Sequence, residues 1–268
     1  MNKKFAVIGV GNMAKSIIEG ITSADIPVSS FYLFDKYPSA CDNYKNKANF
    51  YIENDIISTV EKSDCVLLSV KPQNYSEILS EIKKANDFSK KLYISIGAGI
   101  TSQSVSDELD GANVIRVLPN LPMTIGMGVS VICKNKNVSK EDFAFVEAIF
   151  ASSGSTTLID EEDMNAIIGV TSSSPAYVFK FINAIYMGAK AQGLDSDGIL
   201  NAICDVVIGS AMLLKQSNDT PTELISKVAS KGGTTEQALL KLDDGDFDKT
   251  IENAMKACTK RADELGKQ

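Results

Sequence analysis

One stretch near the start limits this chain more than any other: Val7-Ile-Gly9-Val-Gly11-Asn12-Met13-Ala14, an apolar run that breaks into a Gly-x-Gly-x-x-Ala pattern. The residues before Gly9 read as a strand, and those after Gly11 open a helical pattern. In such a junction Gly9 permits a tight turn, Gly11 lets the backbone approach a pyrophosphate, and Ala14 allows close helix–strand packing. The helix N-terminus then offers unpartnered N–H groups to phosphate oxygens. Asp35 ends the next candidate strand, where an acidic residue can accept a hydrogen bond from an adenosine ribose. Residues 1–40 are therefore expected to form a dinucleotide-binding βαβ unit with a nicotinamide coenzyme as ligand.

The pattern continues beyond that unit. Candidate strands Phe5–Gly9, Phe31–Asp35, Cys65–Val70, Leu92–Gly97, Val114–Leu118, Val129–Cys133 and Thr156–Ile159 alternate with helical stretches, and several are apolar at nearly every position. Such runs suit strands covered on both faces, in a parallel, doubly wound sheet. After Glu161 helical periodicity takes over, with helices expected at about 163–192, 195–216, 222–229, 234–242 and 246–265. Pro175 should kink the first or begin a new one. Gly193 should stop it, and Asp195 and Asp246 should cap the helices that follow. The expected division is a Rossmann-type domain at 1–160 and an all-helical domain at 161–268.

Composition removes whole classes of chemistry. The chain has no histidine, so His-based triads, His-ligated metals and His general acid–base catalysis are excluded. Five scattered cysteines suggest reduced thiols in a cytoplasmic protein rather than disulfides, and no metal site is expected. A formal net charge of −7 argues against nucleic acid or an anionic membrane as partner. The apolar run before Gly9 is too short for a signal peptide or membrane span, and no later run approaches about 18 uninterrupted apolar residues.

Further candidate residues lie at the ends of strands. Val70-Lys71-Pro72-Gln73 follows one, and Pro72 should hold Lys71 extended at the rim of the crevice, as a cofactor contact or a solvated lysine. Asn120, after Arg116-Val-Leu-Pro119, occupies a comparable place. Asp35 favours NADH, because it would repel a 2′-phosphate, whereas Lys36 could pair with that phosphate; NADPH or NADH both remain open.

Taken in order, these segments resemble the pyrroline-5-carboxylate reductase family. The resemblance rests on Gly9-Val-Gly11-Asn-Met-Ala14, Val70-Lys-Pro-Gln73, Arg116-Val-Leu-Pro-Asn-Leu-Pro122 with Gly126-Met-Gly128, Pro175-Ala-Tyr177, and Ser230-Lys-Gly-Gly-Thr-Thr235. The last is similar to the family's Ser-Pro-Gly-Gly-Thr-Thr signature. The chain departs from the family pattern at Lys231, at Ser172 and Ser174 in place of glycines, at Leu121 and at Asn183. The resemblance implies a Rossmann domain and a helical domain that pairs two copies, with dimers joining into larger rings up to a decamer. It also implies hydride transfer from NADPH or NADH to the C=N bond of 1-pyrroline-5-carboxylate, giving L-proline.

That reaction suits a protein without histidine, since a cyclic imine is partly protonated near neutral pH and its iminium already accepts hydride. The enzyme must mainly hold two carbons about 3–3.5 Å apart. The substrate carboxylate is expected at Gly232-Gly233-Thr234-Thr235, where glycines and a helix N-terminus can cradle an anion. The resemblance makes the Thr235 hydroxyl the leading catalytic candidate, bonding the ring nitrogen; a plain turn with a threonine cap is the alternative. Ser230, Ser173 and Tyr177 complete the expected substrate set, against local capping for Ser173 and packing for Tyr177. A rival is a β-hydroxyacid dehydrogenase using Lys180 and Asn183, which lie i,i+3 on one helix. Another is a non-catalytic nicotinamide-binding paralogue.

Overall fold

A computed structural model of the chain describes residues 2–194 and 196–266. Contacts divide it into two compact units: Ser174–Ala254 forms one, and the segments before and after it form the other.

The first unit is built on an eight-stranded sheet. Its elements are β1 (Lys3–Ile8), α1 (Asn12–Ser23), β2 (Val28–Phe34), β3 (Phe50–Ile52), α2 (Ile56–Glu61), β4 (Cys65–Leu68), α3 (Tyr75–Ile82), β5 (Leu92–Ser95), α4 (Ser102–Glu108), β6 (Asn113–Leu118), β7 (Gly128–Lys134), α5 (Lys140–Ala151) and β8 (Gly154–Leu158). The strand order is β3-β2-β1-β4-β5-β6-β7-β8. Side chains alternate across the sheet: Phe5 and Val7 of β1 join a core that includes residues of α1 and α5, while Ala6 and Ile8 join one that includes residues of α2, α3 and α4. Both faces are covered, which is why these strands are apolar throughout.

Two features depart from the expected sheet. β3 adds an edge strand of only three residues, held by stacking of Phe50 on Phe31 at 4.5 Å and on Tyr44 at 5.1 Å. β7 runs antiparallel to β6, so the sheet is parallel except at that one junction.

Residues 161–173 are not the start of a long helix but two short 3₁₀ turns, Glu161–Asp163 and Ile167–Gly169. Met164 and Ile168 pack there with Leu118, Val131 and Cys133 of the sheet and with Ala262 from the C-terminal segment. By contacts the first compact unit runs through Ser173, and the residues from Met255 onward return to it.

The second unit contains α6 (Ser174–Ala191), α7 (Ile199–Gln216), α8 (Pro221–Val228), α9 (Thr234–Asp244) and the first turns of α10 (Phe247–Leu265). Pro175 begins α6 instead of kinking it, as a proline in a first turn can. Gly193 ends α6 at φ +82°, and the Leu194 N–H bonds the Ala189 carbonyl while the Gly193 N–H bonds Lys190, which is a Schellman stop. The expected cap Asp195 lies outside the described residues. α7 is long and apolar enough to cross a membrane by length and composition.

Candidate active site

At the amino end of the first unit the chain turns from β1 into α1 through Gly9, Val10 and Gly11. Gly9 sits at φ +90°, and a Cβ there would lie 2.5 Å from the Ser69 carbonyl oxygen. Only glycine allows this approach of the β1 loop to the β4 loop. Strand order reverses between β1 and β4, and in open α/β sheets the crevice at such a point is where ligands bind. A Cβ on Gly11 would meet nothing within 4 Å, so the loop faces open space there.

Gly11 is also the N-cap of α1, with no side-chain cap and no acidic residue in the first turn. The first intrahelical bond runs from Lys15 N–H to the Gly11 carbonyl, which leaves the amides of Asn12, Met13 and Ala14 without helical partners. Three donors at a positive helix end, beside open space, fit a dinucleotide pyrophosphate. Ala14 itself is buried in the core. Lys71 is extended at φ −67° and ψ 145°, and Pro72 opens the short turn Pro72–Asn74 that follows. Val70, Lys71 and Pro72 thus line the rim after β4, with Lys71 and Lys36 both exposed.

Two predicted cofactor residues also make hydrogen bonds within the fold. Asp35 accepts hydrogen bonds from the Val10 N–H at 2.7 Å and the Tyr37 N–H at 2.8 Å. Asn120 is buried; its amide donates to the Thr171 carbonyl at 3.0 Å and its oxygen accepts from Val129 N–H at 2.9 Å. Asn120 therefore fastens the end of β6 to β7 and to the 161–173 segment.

Other residues holding this edge are not apparent in the sequence. The Tyr75 hydroxyl, at the start of α3, bonds the Leu68 carbonyl, the Ser95 hydroxyl and the Gly97 N–H, joining the ends of β4 and β5. Burial pushes its pKa up to about 12, so it stays protonated and can donate. Below the edge, fully buried Arg116 donates to Glu161 and to Asn165, each at 2.6 Å, and Asn165 donates to Asp263. Burial alone would raise the Glu161 pKa, yet hydrogen bonds from Ser102, Arg116 and Cys133 outweigh it and hold the carboxylate below its ordinary range. An isolated arginine in an apolar strand was the one available sequence signal; its partners lie too far along the chain to infer.

Ser173 closes the first unit, where its hydroxyl lies 3.0 Å from Cys258 Sγ. The remaining predicted substrate residues belong to the second unit. Tyr177 stands in the first turn of α6, and Lys180 and Asn183 are exposed further along it. Ser230 and Gly232 to Thr235 lead into α9, which begins at Thr234 with Gly233 as N-cap. Gly232 adopts φ +76°, and a Cβ on Gly233 would lie 2.9 Å from the Ser230 carbonyl oxygen, so the loop geometry favours glycine at both positions.

Their amides, however, are used internally: Gly232 N–H bonds Glu236 at 2.7 Å and Gly233 N–H bonds the Ser230 carbonyl at 2.9 Å. The donors that helix geometry leaves over are those of Thr234, Thr235 and Glu236. The Thr235 hydroxyl has no hydrogen-bond partner among the described residues and is not the cap.

The comparisons with known proteins cover both units. Residues 161–265 match the family model for pyrroline-5-carboxylate reductase dimerisation, and residues 4–99 match that for coenzyme F420-dependent NADP oxidoreductases. A pyrroline-5-carboxylate reductase of Methanosarcina acetivorans is 32% identical over 269 residues, covering 100% of this chain and 99% of the relative. One of Haemophilus influenzae is 33% identical, with 98% of each chain covered. The solved structure of Plasmodium falciparum pyrroline carboxylate reductase with NADP bound superposes with a TM-score of 0.89 at 26% identity, covering 99% of this chain and 98% of that one. With the nucleotide loop, the helical region and the whole length between them all matched, the chain belongs to the pyrroline-5-carboxylate reductase family.

Proposed function

We propose that the chain reduces 1-pyrroline-5-carboxylate to L-proline with NADPH or NADH. The observation that carries this reading is similarity across the whole chain, because a nucleotide loop alone would identify only a coenzyme. When bound, the reduced nicotinamide supplies the hydride. The coenzyme is held by Gly9, Gly11, Asn12, Met13, Ala14, Asp35, Lys36, Val70, Lys71 and Pro72, with Asn120 shaping the same edge.

The substrate carboxylate is held at the start of α9 by the amides of Thr234, Thr235 and Glu236, each charge-assisted contact contributing about 1.5–3 kcal/mol. Gly232, Gly233 and Ser230 shape that turn. The Thr235 hydroxyl bonds the ring nitrogen and orients the C=N carbon. No general base is needed, since the iminium arrives protonated and keeps that proton as the amine of proline. Ser173 and Tyr177 border the substrate from the start of the helical region.

The working form is a homodimer through the helical region, joined into a larger ring of up to ten copies. The apolar side chains of α7, of which only Ile203 is buried within its own chain, are what such pairing would cover. We place the enzyme in the cytoplasm, acting on a small molecule without nucleic acid or membrane. The test is oxidation of NADH or NADPH by the purified protein when pyrroline-5-carboxylate is added. No oxidation above background with either coenzyme would refute it.

A further inference from the structure

The carboxylate of Asp35 is clamped at both ends. Oδ2 accepts from the amide of Val10, between the two loop glycines, and Oδ1 accepts from the amide of Tyr37. Resting on the reading of this crevice as a nicotinamide dinucleotide site, we propose that clamped Asp35 makes the protein selective for NADH over NADPH. A carboxylate offers about four acceptor positions, so two remain after the amides are served. Those two suit the vicinal hydroxyls of an adenosine ribose. A 2′-phosphate would instead bring negative charge against a carboxylate that cannot turn aside without abandoning both amides.

Arginines that could rescue a 2′-phosphate are scarce. The whole chain has two arginines, and neither is free for the task. Arg116 is buried against Glu161 and Asn165, and Arg261 pairs with Glu264 on α10. The rigid, bidentate fork best matched to phosphate is therefore missing from this end of β2. Lys36 is exposed beside Asp35, and Lys15 and Lys45 act on the same neighbourhood around Cys41. Lys45, however, is paired with Asp42 at 2.7 Å, and flexible ammonium groups must offset a fixed carboxylate before they can attract phosphate.

The two coenzymes are titrated separately into the full-length protein without substrate, following nicotinamide fluorescence. NADH is expected to bind about tenfold more tightly or better, the penalty for one added like-charge contact in a partly solvated site. Asp35→Ser should erase most of that ratio by weakening NADH and strengthening NADPH. Asp35→Asn, which keeps the shape and an acceptor oxygen, guards against a loop that no longer folds and should narrow the ratio as well. Equal or tighter binding of NADPH by the unaltered protein overturns this inference alone. Binding of neither coenzyme overturns the reading of the crevice and this inference with it. Because no substrate is present, failure to turn over pyrroline-5-carboxylate leaves the titration result standing.

Discussion

The two units of this molecule use similar apolar content in opposite ways. In the first, β1, β4, β5 and β6 are almost wholly buried, and their side chains close two cores within one chain. In the second, Ile203 is the only buried residue among the described part of Ser174–Ala254. Phe179, Val206 and Leu213 are 55%, 66% and 58% exposed. Burying one such side chain is worth about 1.5–3 kcal/mol, so a row of them left open is a large unused driving force. The first unit is stabilised from within; the second is an incomplete core whose completion depends on another surface.

The largest expected effect tests the self-sufficiency of the first unit. Arg116→Ala should cost about 3–5 kcal/mol, because it strands Glu161 without its buried partner. Urea titration would measure it, and the loss should not change with protein concentration. A loss below about 1 kcal/mol would mean that the Arg116 network is not what fastens the 161–173 segment.

Thr235→Ala comes next and bears on chemistry in the second unit. Turnover should fall about 10²-fold while coenzyme binding is kept, and Thr235→Ser should recover most of it. An unchanged kcat/KM would leave Thr235 as an ordinary first-turn residue.

Val206→Lys probes the open face of α7. Replacing an apolar contact there by a charge should weaken self-association by about 1–3 kcal/mol, seen as a smaller species in light scattering. Thermal stability should then fall on dilution, in contrast to Arg116→Ala. If the species is unchanged in size, this face is not where copies meet.

The smallest effect is in pH dependence. The folded-state pKa of Glu161 is lowered, so its contribution is present above the ordinary glutamate value of 4.5 and is lost as pH falls through the folded value. The urea midpoint should decline in that acidic window, and Glu161→Gln should flatten the decline. Equal slopes for the two proteins would detach acid sensitivity from this pair.

Much of the architecture was legible because it depends on local rules. Short runs apolar at nearly every position marked the long strands, the Gly9–Ala14 pattern marked the β1–α1 turn, and Gly193 marked the end of α6. The edge strand β3 escaped notice because three residues carry no period, and their pairing rests on rings from Phe31 and Tyr44. The reversal of β7 was hidden for another reason: a strand's direction leaves no trace in its composition. Helical periodicity from 163 was misleading, since Met164 and Ile168 were drawn into the core with Ala262, and Glu161 toward Arg116.

The sequence by itself determined what kind of groups stand at the site: glycines where backbone must come close, helix starts where anions bind, and no histidine for proton transfer. These follow from side-chain identity and near neighbours. Only the tertiary structure decided which groups are already occupied. Asp35 serves Val10 and Tyr37, Asn120 serves Val129 and Thr171, and both glycine amides before α9 are bonded within the turn. Whether a donor or acceptor is free for a ligand depends on what folding brings to it, often from far along the chain, and no local pattern records that.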